Sequence, residues 1–128
     1  MKFSEHRDSN VKIVKHYQPG EVKINADFYR SSLYLTQHQV FSDWPVTDIS
    51  QLAPSDLDSL LALKPEVILL GTGEQQRFPA PAFFQYCAKH GVGLEVMAND
   101  AACRTFNVIG TEDREVILAL IFAAPSTQ

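Results

Sequence analysis

The hydrophobic residues of this chain form short runs and alternations that predict strands and helices in turn. The apolar run at residues 67–70 has no polar position for solvent, so it predicts a central strand covered on both faces. A second short run at residues 94–97 predicts another strand, and a third at residues 116–122 predicts a buried strand near the end of the chain. Residues 64–109 therefore predict a strand, a glycine turn, a helix, a strand and a helix.

Shorter alternations occupy the first forty residues. A Pro-Gly turn at residues 19–20 separates the alternation at 11–17 from the one at 22–24. A second tight turn precedes a longer predicted strand over residues 28–36. This pattern is typical of a meander of antiparallel strands, and a further short strand is predicted at residues 40–41.

Three helices are predicted from their start and stop signals. Pro54 suits a first helical position, and the leucine spacing after it predicts a helix that ends at residue 64. The next helix is predicted over residues 81–90, with Gly91 in the left-handed position that ends many helices. The third is predicted to begin with Asp100 as its N-cap and to stop at Gly110.

The length of 128 residues predicts one domain, which we place at residues 11–123 between a loose N-terminus (1–10) and a tail (124–128). A net charge of −4 with no basic cluster argues against nucleic-acid binding. The longest apolar run, residues 116–124, is far shorter than the ~20 residues that span a bilayer. The first residues also lack the apolar core of a signal peptide. We therefore expect a cytoplasmic protein without membrane insertion.

The cysteines and histidines predict neither a disulfide framework nor a metal site. Cys87 and Cys103 are too few for such a framework, and the four histidines are scattered without the spacing of zinc ligands. We interpret Cys87 as a small core residue. No cofactor motif occurs either, so we expect no metal and no cofactor.

Candidate chemistry collects in the loop after the first predicted central strand. The turn Gly71-Thr72-Gly73 has either of two interpretations: a cradle of backbone N–H groups for an anion, or a tight strand exit. It matches neither of the glycine-rich nucleotide-binding motifs. Arg77 in the same loop would either contact an anion or lie in solvent, stacked on Phe78.

The second loop adds a thiol. With Asp100 as N-cap, Cys103 would lie in the first turn of a helix, where the dipole and the neighbouring Arg104 favour the thiolate. Cys103 is thus the one candidate nucleophile, against the alternatives of a buried structural cysteine and a redox-sensitive or binding thiol. A catalytic cysteine needs a general base. The base we considered, His90, ends another helix and is predicted to lie at the opposite edge of the sheet.

Because the carboxyl ends of parallel strands meet at one edge of a sheet, the two loops predict a common crevice there. Its predicted members are Gly71, Thr72, Gly73, Arg77, Phe78, Asp100, Cys103, Arg104 and Asn107.

Three motifs appear together in order and spacing: PEVILLGTG at residues 65–73, RFP at 77–79 and AACRTFN at 101–107. With them the chain resembles the family of unknown function that includes mitochondrial NADH dehydrogenase 1 alpha subcomplex assembly factor 3 and its bacterial and archaeal relatives. A weaker N-terminal match extends the resemblance over residues 11–123. The resemblance implies a single three-layer α/β domain: a mixed β-sheet with helices on one side and a β-hairpin plus helix on the other. It also implies a role in respiratory complex I assembly for the mitochondrial members.

Two classes of function follow. The first, which we favour, is a non-catalytic binding or assembly module of bacterial type, whose crevice holds a small anion or a segment of a protein partner. The second is a small enzyme or redox-sensitive protein that uses Cys103 in an anion-binding crevice. The oligomeric state stays open at this point.

Overall fold

A computed structural model describes residues 11–110 and 114–124 of the chain. Its strands are β1 (Val14–Gln18), β2 (Glu21–Ile24), β3 (Asp27–Tyr29), β4 (Leu33–Leu35), β5 (Val40–Ser42), β6 (Val67–Gly71), β7 (Gly93–Met97) and β8 (Val116–Leu120). Its α-helices are α1 (Asp58–Leu61), α2 (Pro81–Ala88) and α3 (Asn99–Ile109). Two 3-10 turns, at Ile49–Gln51 and Pro54–Leu57, come before α1. The predicted loose N-terminus, and all but residue 124 of the predicted tail, lie outside the described residues.

The first three strands form a small antiparallel sheet in the order β1-β2-β3. The predicted Pro-Gly turn joins β1 to β2, so that Gln18 pairs with Glu21. Gly20 in this turn has a φ of +83°, a conformation that suits glycine because it lacks a Cβ. The predicted meander is confirmed for these three strands.

The second sheet contains five strands in the order β5-β4-β8-β6-β7. The interior strand β6 runs parallel to both of its neighbours, β7 and β8. Strand β4 runs antiparallel to both of its neighbours, β8 and β5. Gly71 at the end of β6 pairs with Met97 at the end of β7. The prediction that these two strands are parallel neighbours with their exits at one edge is therefore confirmed.

The central sheet is the middle of three layers. Ile68 and Leu70 of β6 belong to the core cluster that contains α1 and α2, whereas Val67 and Leu69 belong to the cluster that contains α3 and the small sheet. Every residue of β6 is buried, as the continuous apolar run predicted. The predicted α/β class, with helices on one side of a mixed sheet and a hairpin layer plus helix on the other, is confirmed.

The predicted long strand over residues 28–36 is wrong, because the chain divides there between the two sheets. The break lies near Ser32, which is buried and bonds to segments outside any strand ladder. Its hydroxyl accepts a hydrogen bond from the Phe122 N–H at 2.8 Å, and its carbonyl accepts one from the Trp44 N–H at 3.0 Å. These contacts turn the chain from β3 into β4.

The helix boundaries also differ from the prediction. The helix predicted from Pro54 begins as a 3-10 turn and becomes α-helical only at Asp58. The next helix ends at Ala88, and Gly91 takes the predicted left-handed conformation with a φ of +75°. The predicted N-cap Asp100 is wrong: the cap is Ala98, which offers no side-chain hydrogen bond, and α3 begins at Asn99, two residues earlier than predicted.

Candidate functional site

A surface depression of about 410 Å³ lies where β6 and β8 end. It is lined by Tyr17, Gly20, Thr47, Asp48, Thr72, Gly73, Glu74, Gln75, Arg77, Asn99, Ile121, Phe122 and Ala123. The connections after β6 and β7 lead to α2 and α3, which pack on opposite faces of the sheet. Such a divergence at the carboxyl ends of parallel strands is where open α/β sheets bind ligands. We call this depression the carboxyl-edge depression.

Asn99, the first residue of α3, joins three segments around this depression. Its Oδ1 accepts a hydrogen bond from the Gly73 N–H at 3.1 Å. Its Nδ2 donates to the Ile121 carbonyl at 3.0 Å and to the Tyr17 hydroxyl at 3.2 Å. The residue is 1% exposed, and a buried amide is tolerated only when it is bonded in this way. Asn99 therefore ties the exits of β6 and β8 to the first hairpin.

Gly71 lies directly beneath Asn99 and does not line the depression. A Cβ at this position would overlap the Oδ1 atom of Asn99 and lie 2.9 Å from Cδ2 of Leu120. Close packing explains why glycine is required here, whereas the sequence interpretation placed Gly71 in the wall of the crevice.

The loop after β6 is held by its own polar groups. The Thr72 hydroxyl donates to the Gln75 carbonyl at 2.7 Å and accepts from the Arg77 N–H at 2.9 Å. Gln76 Nε2 donates to the Val96 carbonyl of β7 at 2.9 Å. Because these bonds connect the loop both to itself and to the sheet edge, its conformation is well determined.

The N–H groups that predicted an anion cradle are engaged within the protein. Thr72 N–H donates to the Met97 carbonyl at 2.9 Å, and Gly73 N–H donates to Asn99. At the start of α3, the Asn99 N–H donates to the Gly73 carbonyl at 2.7 Å, and the Ala101 N–H donates to Asp100 Oδ1 at 2.8 Å. These donors are therefore not directed at a ligand.

Arg77 is paired with a carboxylate that neither interpretation of the sequence anticipated. Its Nη1 lies 3.0 Å from Oδ1 of Asp48. Asp48 also accepts hydrogen bonds from the Ser50 hydroxyl and from the Ser50 N–H, the latter at 2.9 Å. The bonds from Ser50, and then the Arg77 guanidinium, lower the pKa of Asp48 to about 2. This carboxylate is therefore ionised and fully partnered at neutral pH.

Glu74 adds a second carboxylate to the lining. Within residues 11–110 and 114–124, its side chain has no hydrogen bond or ion pair. Burial raises the pKa of Tyr17, the hydrogen bond from Asn99 opposes this, and the negative charge of Glu74 raises the pKa further. The carboxyl-edge depression thus contains two carboxylates and one guanidinium.

Four of the predicted crevice residues lie in a separate depression of about 220 Å³ between β1 and α3. They are Asp100, Cys103, Arg104 and Asn107. Their spacing places them on one face of α3, and that face is turned toward β1. Arg104 pairs with Asp100 at 3.6 Å. The prediction of one common crevice is therefore wrong in its membership: the carboxyl-edge depression contains only Thr72, Gly73 and Arg77 of the nine predicted residues.

Cys103 does not have the lowered pKa that the sequence predicted. It is 4% exposed, and burial, with a contribution from the charge of Asp100, raises its pKa to about 12 despite the opposing effect of Arg104. The reason is that α3 begins at Asn99, so Cys103 lies in the second turn and faces the core. Cys87 is likewise buried, as expected.

His16 and His90 are the two histidines to consider as a general base for Cys103. His16 of β1 lines the same small depression as Cys103, a neighbour that the sequence search missed because β1 is distant in the chain. No hydrogen bond joins the two side chains in the part of the chain that the structure describes. His90 lies with Lys64 and Pro65, before the start of β6, which confirms that it occupies the opposite edge.

Asn107 and Phe78 complete the predicted set. Asn107 Oδ1 accepts from the Val14 N–H at 3.0 Å, and its Nδ2 donates to the Val14 carbonyl at 2.8 Å. It thereby satisfies the backbone N–H and carbonyl groups of one residue of β1, as a neighbouring strand would. Phe78, in contrast, is 67% exposed.

Within residues 11–110 and 114–124, no group of three or more His, Cys, Asp or Glu side chains is placed to hold a metal ion. None of the helices there is long and apolar enough to cross a membrane.

The sequence interpretation missed Tyr17, Asp48, Glu74 and Asn99. Asn99 carries a usable signal, because an asparagine between a strand and a helix is typical of a helix start. Asp48 precedes Ser50 by two residues, which is the spacing of a side-chain-stabilised turn. Tyr17 carries no local signal, since tertiary folding alone brings β1 to this edge, whereas Glu74 directly follows the predicted glycine turn and its position was therefore predictable.

Fold and site together define a class of protein: a small three-layer α/β domain with a depression at the carboxyl edge of its mixed sheet. Residues 14–121 match the family described as "Protein of unknown function (DUF498/DUF598)", and the chain belongs to that family. The predicted resemblance to the family of unknown function that includes the mitochondrial assembly factor is thereby confirmed.

Individual relatives agree with this assignment. The chain is 35% identical over 123 residues to the 13 kDa major membrane protein of Francisella tularensis subsp. holarctica (strain LVS), covering 94% of this chain and 99% of that protein. It is 29% identical to NADH dehydrogenase [ubiquinone] 1 alpha subcomplex assembly factor 3 of Drosophila melanogaster, covering 93% of this chain but only 62% of that protein. The NMR structure of a Xanthomonas campestris protein matches with a TM-score of 0.84 and 36% identity, covering 100% of this chain and 97% of that one.

Proposed function

We propose that this chain is a non-catalytic protein-binding module that assists the assembly of a protein complex, and that its partner docks at the carboxyl edge of the central sheet. The relatives named as assembly factors support a protein partner. The cytoplasmic location stays a prediction, because the Francisella relative is named a membrane protein.

The exposure of Phe78 carries this proposal. Its ring is 67% exposed although Pro79 and the bonded loop of residues 72–77 hold its backbone in place. Burial of such a ring against a partner contributes about 1.5–3 kcal/mol. A group that is already ordered loses little conformational entropy on binding, so more of that free energy remains as affinity. Phe78 therefore has the properties of an anchor residue.

The state of Cys103 supports the binding role over the alternative of an enzyme or redox-sensitive protein. Reaction at a cysteine requires an accessible thiolate. With a pKa raised to about 12 by burial, the Cys103 thiol is protonated at neutral pH, and the side chain is 4% exposed. The carboxyl-edge depression, where Thr72 and Arg77 lie, does not include Cys103.

The test compares partner capture by two phenylalanine variants. Phe78→Ala removes the proposed anchor, while Phe28→Ala removes a ring that is 49% exposed on β3 and lies beside Lys23 and Arg30. Immobilised wild type and both variants are incubated with lysate of the source organism, and bound proteins are quantified by mass spectrometry. We expect a defined set of proteins to bind wild type and Phe28→Ala and to be lost with Phe78→Ala.

Unfolding curves in urea serve as the folding control for both variants. Phe78→Ala should change the free energy of unfolding by less than about 0.5 kcal/mol, because the residue is exposed. Phe28→Ala also loses the contacts with Lys23 and Arg30 and should cost about 0.5–1 kcal/mol, which leaves the protein folded. Equal capture by wild type and Phe78→Ala would contradict docking at this edge.

A further inference from the structure

The carboxyl-edge depression has an aromatic wall, which is formed by the partly exposed Tyr17. Phe122 also belongs to the lining, with its ring centroid 6.1 Å from that of Tyr17 and the two planes inclined by 33°, but this residue is only 4% exposed and backs the wall from the core. The Tyr17 hydroxyl is held by Asn99, so the orientation of its ring is restrained. Aromatic faces attract cations that lie within about 6 Å of the ring centroid. This wall therefore favours a cation over an anion.

The charges of the lining point the same way. Arg77 lies 3.0 Å from Asp48, so that the charges of the guanidinium and the carboxylate offset each other. Glu74 has no such partner among the described residues, and its charge acts on Tyr17. The unneutralised charge at the depression is consequently negative and lies beside the aromatic wall.

The donors that an anion would need are engaged. Gly73 N–H is bonded to Asn99, and the Asn99 N–H is bonded to the Gly73 carbonyl at 2.7 Å. An anion would have to displace these internal bonds and also approach Glu74. A volume of about 410 Å³ is sufficient for one long side chain, since small-ligand pockets begin at about 300 Å³.

From this combination we infer that the carboxyl-edge depression receives a basic side chain, arginine or lysine, of the partner segment, with its charge beside Glu74 and its stem against Tyr17. The inference rests on the proposed function, because it identifies the chemistry of the partner at the same edge. It replaces the small anion of the sequence interpretation with a cation.

The test uses N-acetyl-L-arginine amide as the probe, at constant ionic strength. Its uncharged isostere N-acetyl-L-citrulline amide and sodium sulfate are titrated in parallel. The readout is the NMR shift of the backbone amides of Gly73 and Asn99. We expect saturable shifts with the arginine probe only. Saturation by sulfate, or equal shifts with the citrulline probe, would overturn the inference.

Two matched variants remove one negative charge each. Glu74→Gln should weaken binding of the arginine probe by up to roughly fivefold, the effect of an exposed ion pair. Asp100→Asn removes a carboxylate that lines the neighbouring depression and is paired with Arg104, so it should weaken binding of the probe less than Glu74→Gln does. An unchanged affinity with Glu74→Gln, or an equal loss with both variants, would overturn the inference.

Partner capture separates the two proposals. If capture requires Phe78 but is unaffected by Glu74→Gln, the basic side chain is refuted and the protein-binding role stands. If capture is independent of Phe78, the proposed function itself fails. Loss of capture with both variants, together with the arginine-specific shifts, supports both proposals.

Discussion

Replacing Gly71 by alanine tests whether the carboxyl edge is built around Asn99. The new Cβ would overlap Asn99 Oδ1 and would also lie 2.9 Å from Cδ2 of Leu120. Forcing a methyl group into packed structure costs about 1–3 kcal/mol. The Asn99→Ala variant should cost about 1–3 kcal/mol for a different reason, because the buried Ile121 carbonyl loses the donor that now lies at 3.0 Å.

The two substitutions should not be additive. Asn99→Ala removes the Oδ1 atom that the new Cβ meets, although the contacts with Leu120 and with Cα of residue 99 remain. The loss in free energy of unfolding of the double variant should therefore be smaller than the sum of the two single losses by about 0.5–3 kcal/mol. Urea unfolding followed by circular dichroism measures all three variants against the wild type.

Gly93→Ala is the matched control for this cycle. A Cβ at residue 93 would meet its nearest atoms at 3.8 Å, which is an ordinary contact, so its effect should stay within about 0.5 kcal/mol. If Gly71→Ala is equally mild, or if the double variant equals the sum of the two single variants, the close approach of Asn99 does not explain the glycine.

Three further predictions concern single residues. Leu69→Ala should lower the free energy of unfolding by about 2–5 kcal/mol, because the side chain is fully buried in β6; an unmoved urea midpoint would mean that this strand is not central. Iodoacetamide should alkylate Cys103 slowly at pH 8 in the folded protein and rapidly after unfolding; fast reaction of the folded protein would contradict a pKa of about 12. Since that folded pKa is above the unfolded value of about 8.5, the contribution of Cys103 to stability should be complete below pH 8.5 and lost as pH rises toward 12. In an NMR titration, Ser50→Ala and Arg77→Gln should each raise the pKa of Asp48, because the Ser50 hydroxyl and the Arg77 guanidinium both lower it; an unchanged pKa in either variant would refute this assignment.

The central sheet could be predicted from the sequence because its signals are local. A continuous apolar run such as residues 67–70 is stable only when both faces are covered, and that requirement alone identified β6 as central. The division of residues 28–36 could not be predicted in the same way. It depends on Ser32, whose bonds to Trp44 and Phe122 join positions up to 90 residues apart.

The location of the site could be predicted better than its membership. Strand ends followed by turns indicated the carboxyl edge, and Thr72, Gly73 and Arg77 do lie there. The helical loop residues were misplaced because the prediction treated the start of α3 as one cluster around Asp100. In the structure only Asn99 reaches the depression, and the face that carries Cys103 turns toward β1.

The sign of the charge that the site offers to a ligand differs from the prediction for a related reason. Counted along the sequence, Arg77 and Arg104 are two cations beside a helix start and therefore predict an anion site. The spacing of Asp100 and Arg104 on one helix already indicates that Arg104 is paired, and the structure places the two charged groups 3.6 Å apart. The partner of Arg77 is Asp48, 29 residues away, which no local pattern identifies. Because Arg77 and Arg104 are both paired with carboxylates, the unpaired charge at the depression is that of Glu74. The arginine and sulfate titrations test whether a ligand responds to this negative charge.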